Sequence, residues 1–135
     1  MTAVARRGFT LLELLVAMAL AALLITLGLR SQQGQGLRSG RLDAVEALTR
    51  LQRAQEQHRS AHGLYASDLA ALIGAAATSP QGRYAIALDR FGGEAYRATA
   101  IAQGAQARDT PCATLTLEVR QGFAQTGPDS GCWLR

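Results

Sequence analysis

Residues 6–13 read Arg6-Arg7-Gly8-Phe9-Thr10-Leu11-Leu12-Glu13, and an almost wholly apolar run continues to Leu29. Two cations and a glycine stop abruptly at Phe9. As an α-helix, Phe9 to Leu29 would measure about 32 Å at about 1.5 Å per residue, which matches the hydrocarbon thickness of a bilayer. One acid, Glu13, interrupts the run. A carboxylate at the centre of a membrane helix is unfavourable by about 3 kcal/mol on insertion scales, so such a residue usually has a function.

Three readings of this segment compete. A secretory signal also has a basic start and an apolar core, but it is cut after that core at a small-x-small site. Leu27-Gly28-Leu29-Arg30-Ser31-Gln32 offers no convincing site. A plain single-span anchor fits the hydropathy and leaves Glu13 and the Gly8-Phe9 junction unexplained. The third reading is a resemblance: the segment looks like the class III signal of the type IV pilin superfamily. That signal is a basic leader, a glycine, Phe-Thr-Leu-[Ile/Leu]-Glu and an apolar helix. The resemblance implies that a prepilin peptidase cuts between Gly8 and Phe9 on the cytoplasmic side. Phe9 then becomes an N-methylated terminus, and Glu13 becomes the fifth mature residue, which acts in assembly. The apolar helix stays in the product.

Composition narrows the function classes. Removing the leader and the apolar helix leaves about 105 residues, enough for one small core and not for a large enzyme cleft. The formal charge is +4 and falls to +2 if Arg6 and Arg7 leave with the leader. The other arginines are spread from Arg30 to Arg135 with few aromatics between them, a weak nucleic-acid signature. Cys112 and Cys132 are the only cysteines. In an exported domain an even count implies a disulfide, here closing about 20 residues and worth about 3 kcal/mol in the chain-entropy model. Two free, buried thiols are the alternative.

Organisation reads as a leader over 1–8, a transmembrane or filament-core helix over 9–30, a glycine-containing weak helix or linker over 31–40, an amphipathic helix over 41–62 and a globular β domain over 63–135. Leu42, Val45, Leu48 and Leu51 predict one apolar stripe, with Arg41, Glu46, Arg50 and Arg53 mostly facing elsewhere. Gly63 is a plausible C-cap, and Ser67 or Asp68 caps a short helix holding Leu69, Leu72 and Ile73. Alternation predicts strands over 83–88, 94–101 and 112–120, with a short fourth over 123–126, a turn over 89–93 and a polar loop over 103–111. One-sided alternation with hairpin-length links means an antiparallel meander covered on one face by the helix.

The resemblance then extends downstream. Arg53-Ala54-Gln55-Glu56-Gln57 followed by Gly63-Leu64-Tyr65 is similar to minor pilins of the PilE type. So are Tyr96-Arg97-Ala98-Thr99-Ala100, Gln103-Gly104-Ala105-Gln106, Asp109 to Cys112, Thr114-Leu115-Thr116-Leu117 and Cys132-Trp133. It implies an α+β type IV pilin fold: a long N-terminal helix, its first half transmembrane, packed on a small antiparallel meander of about four strands with a C-terminal disulfide loop.

No catalytic set, phosphate loop or dinucleotide fingerprint is present, so an enzyme and a cofactor are not expected. His58 and His62 lie four apart but lack a third ligand. Asp68, Asp89, Glu94, Asp109, Glu118 and Asp129 are scattered and read as solvated acids, mostly at turns. The expected function is a minor pilin, a structural subunit in type IV pilus assembly or initiation serving adhesion, twitching motility or DNA uptake. Alternatives are a pseudopilin of a type II secretion system and a pilus-associated DNA-binding module. Expected partners are prepilin peptidase, other major and minor pilins, an inner-membrane assembly platform, the membrane before assembly and, more weakly, DNA. The expected location is the inner membrane, with a periplasmic C-terminal domain, and the extracellular pilus of a Gram-negative bacterium.

Overall fold

The computed structural model describes residues 10–133. Helix α1 spans Leu11–His62, and the chain divides into two compact units after Gln35. In the first unit, the stretch Leu11–Gly28 is long and apolar enough to cross a membrane, and none of it is buried. Leu11, Leu12, Met18 and Leu24 are each more than 60% exposed. A surface of that kind needs lipid or other helices around it.

The second unit begins at Gly36. It contains the remainder of α1, a short helix α2 (Leu69–Ile73) and strands β1 (Tyr84–Phe91), β2 (Ala95–Ala102), β3 (Thr114–Arg120) and β4 (Phe123–Gly127). The strands form one antiparallel sheet in the order β1-β2-β3-β4. Alternation puts Tyr84, Ile86, Tyr96, Ala98, Ala100, Leu115, Leu117 and Val119 in the core, against Ala44, Ala47, Leu48 and Leu51 of α1. Three alanines on the inner face of β2 let the helix lie close to the sheet, and Tyr65 and Tyr96 pack edge to face at 4.7 Å between ring centroids.

Several sequence expectations need correction. The buried stripe of α1 is Asp43-Ala44, Ala47-Leu48, Leu51 and Gln55, whereas Leu42 is 57% exposed. Leu48 and Leu51 are buried as the stripe predicts and Val45 is partly so, while small alanines and two hydrogen-bonded polar residues make up the rest of the face. The polar stretch after β2 is not a plain loop: it holds two 3-10 turns, Gly104–Arg108 and Thr110–Cys112, with Gln106 and Asp109 buried. β1 runs on through Asp89 and Arg90 to Phe91, paired with β2 along its length, so the turn is shorter than expected. Gly63 ends α1 at φ 79°, and its N–H donates to the Arg59 carbonyl at 2.7 Å. Asp68 caps α2 by accepting from Ala70 N–H at 2.9 Å.

Candidate functional site

In the first unit the one acid is placed by local capping. Thr10 Oγ1 accepts from the Glu13 N–H at 3.3 Å, which fixes the first turn of α1 and puts Glu13 there. Its carboxylate stands among exposed leucines. Gly8 and Phe9, the expected processing residues, lie outside the described residues.

In the second unit, buried polar groups lock the loops to the helix. Asp43 is 2% exposed and accepts from Ser79 Oγ at 2.5 Å, Gln81 N–H at 2.9 Å and Arg83 N–H at 3.2 Å, which fixes the chain entering β1. Gln55 clasps Ala66 at both ends: its side-chain N–H donates to the Ala66 carbonyl at 2.9 Å, and its carbonyl accepts from the Ala66 N–H at 2.8 Å. Tyr65 donates to Glu56 at 2.9 Å, and its ring lies beneath the Arg59 guanidinium. The residues carrying the downstream resemblance thus form the clasp after the helix.

Cys112 and Cys132 are joined, with their Cα atoms 5.4 Å apart. Arg41 makes a bidentate pair with Asp109 at 2.7 and 2.9 Å, and its third nitrogen donates to the Gly131 carbonyl at 3.2 Å. Asp109 is 5% exposed, so the reading of it as a solvated acid is wrong. The bond from Asp109 holds the Arg41 guanidinium above its usual pKa. Gly40 lets the 3-10 turn approach, because a side chain there would overlap Gln106. Gln106 also donates to the Leu37 carbonyl at 3.0 Å.

That close approach brings three exposed arginines into converging segments. Arg38 lies on α1 beside Leu37, Arg108 ends the 3-10 turn that carries Gln106, and Arg83 reaches to within 3.0 Å of the position a Gly40 Cβ would take. Among the described residues none of the three forms an ion pair. Sequence reasoning missed this grouping, since its members are 45 and 25 residues apart in sequence and their segments meet only in the fold. The two histidines stack on each other at 4.2 Å between ring centroids, and no group of three His, Cys, Asp or Glu able to hold a metal occurs among the described residues.

Residues 31–116 match the family model described as type IV minor pilin ComP, DNA uptake sequence receptor, and residues 4–29 match the prokaryotic N-terminal methylation motif. The first match alone covers more than half of the chain. The chain belongs to the ComP family of type IV minor pilins. No individually curated protein matched it. This minor pilin has the pilin fold: an apolar N-terminal helix, a four-stranded antiparallel sheet and a disulfide near the C-terminus. The methylation motif on an apolar helix marks a membrane-anchored subunit that is processed by prepilin peptidase and joins a pilus.

Proposed function

We propose that this minor pilin serves DNA uptake, and that its globular unit contacts DNA directly. The observation that carries this reading is the match of residues 31–116 to a family described as a DNA uptake sequence receptor. The Arg38–Arg83–Arg108 cluster supports it. Three exposed guanidinium groups without a local carboxylate partner suit phosphate contacts, which position a duplex and make its binding salt-dependent. The test is equilibrium binding of the mature chain, held in detergent micelles, to duplex DNA over a series of salt concentrations. Each arginine replaced by glutamine should weaken binding and lower the salt slope by about 1. Duplex affinity and slope unchanged in the triple variant would remove the cluster from the interface.

Assembly follows from the other unit. Prepilin peptidase cuts between Gly8 and Phe9 on the cytoplasmic side, which creates a positive amine at Phe9. Glu13 of one subunit then faces that amine on a neighbour within a shared apolar core. Opposite charges that are both desolvated attract strongly, while a lone Glu13 is penalised, so the pair favours one axial register. The subunit waits in the inner membrane of a Gram-negative bacterium with its globular unit in the periplasm, and later enters the pilus beside other pilins through the assembly platform. Mass spectrometry of the amino terminus in sheared filaments tests this. N-methylated Phe9 is the expected result, and an intact Met1 or Thr2 terminus would refute the processing assignment.

A further inference from the structure

At one end of the sheet the tips of the β1–β2 and β3–β4 hairpins border an open pocket of about 340 Å³, lined by Phe91, Glu94, Ala95, Arg120 and Gln121. Pairing sets its floor. Phe91 pairs with Ala95, Ala95 with Arg120, and Arg120 with Phe123. Residues directly opposite one another project from the same face, so these four make one row on the face away from the core. Phe91 is 44% and Phe123 81% exposed. The Arg97 guanidinium lies over the Phe91 ring at 5.6 Å and is itself held by Glu118 at 2.6 Å. Arg120 binds the other Glu118 oxygen at 2.5 Å.

Gln121 adds a second observation. It has φ 50°, a left-handed conformation that two-residue hairpins normally give to Asn, Asp or Gly. Its N–H donates to the Glu94 carbonyl at 2.9 Å and so ties the two tips together. A strained, long amide at a pocket wall points to a use for its side chain.

The chemistry of the wall selects the occupant. Glu118 is paired with Arg97 and Arg120, and Arg59, which lies beside Gly122, is paired with Glu56, so the charges at this end of the sheet are largely offset. A neutral planar ring whose edge carries both donors and acceptors fits better. Guanine presents adjacent N–H donors to a carboxylate, and its O6 and N7 acceptors to a guanidinium. Aromatic side chains backed by guanidinium planes are the usual platforms for unstacked bases.

We propose that this pocket binds one unstacked nucleobase, guanine by its edge chemistry, stacked on Phe91 and read by Glu94, Arg120 and Gln121. The proposal rests on the DNA-contact reading above and concerns a separate surface. Arg83 and Phe91 bracket β1, about 27 Å apart at about 3.4 Å per residue. The base comes from a single strand, whose bases are free to leave the stack.

The test uses the mature full-length chain in micelles and three probes of equal length: an all-thymine single strand, the same strand with one central guanine, and a mixed-sequence duplex. The guanine strand should bind roughly tenfold tighter than the all-thymine strand. Phe91→Ala should weaken both strands. Glu94→Gln, which keeps shape and fold, should abolish the guanine preference alone. Duplex binding should not change in either variant. Absence of a guanine preference, or its persistence in Glu94→Gln, with duplex binding intact, would overturn the pocket and leave the DNA reading standing. Failure of all three probes to bind would overturn both. Loss of the variants from sheared pili would identify the row as a contact between subunits and overturn the pocket.

Discussion

Arg41 holds together segments that the sequence keeps far apart. Its side chain is 12% exposed and its partner Asp109 5%, so truncation strands a carboxylate in a site with little water. Arg41→Ala should destabilise the globular unit by about 3–5 kcal/mol, read from thermal or urea unfolding of the mature chain. Arg41→Met combined with Asp109→Leu should recover most of that loss, because a well-packed apolar pair replaces a buried ion pair at little cost. Glu13 calls for a different experiment. Glu13→Val should insert and be cleaved as before, since it removes a charge from an apolar helix, yet fail to enter filaments. Immunoblots of sheared pili against membranes decide this, and normal incorporation would sink the pairing of Glu13 with the Phe9 amine.

Among the elements, α1 separates true burial from apparent hydropathy. Leu48 is fully buried and Leu42 mostly exposed. Leu48→Ala should therefore lower stability by about 2–5 kcal/mol, and Leu42→Gln should stay within about 0.5 kcal/mol of the parent. Equal losses in both would restore the stripe that the sequence suggests. The strands were legible because alternation is a direct record of two-sided burial, and β3 with Leu115, Leu117 and Val119 is the clearest case. The boundaries were less so. Asp89 and Arg90 look like turn residues, but pairing with Arg97 and Tyr96 carries them in the strand. Asp43, Gln55, Gln106 and Asp109 were illegible as interior residues for a physical reason. A polar side chain can be buried only when its partners arrive, and those partners lie 11 to 69 residues away. The arginine cluster was hidden for the same reason. Glu13, by contrast, was legible from its context alone, since an acid in an apolar run needs no folded partner to stand out.

At the scale of the whole molecule, alkaline pH probes the core. Burial raises the pKa of Tyr65, Tyr84 and Tyr96 above the ordinary phenol value. Unfolding frees all three to ionise, so the native state keeps its full stability below about pH 10 and loses it as pH rises further. A pH series of unfolding midpoints should fall beyond that point. Phe replacing Tyr96, whose hydroxyl is buried without a partner, should flatten the decline. Stability that stays constant well above about pH 10 would contradict the burial of these phenols. The reach of Arg41 also has a consequence in time. It belongs to the part of the globular unit that is synthesised first, yet the Asp109 carboxylate and the Gly131 carbonyl follow it by 68 and 90 residues. A chain that stops short of its last turn leaves that guanidinium without its Gly131 bond and the second cysteine missing. Only a finished subunit can close, so proteases would clear incomplete copies before they reach a growing fibre.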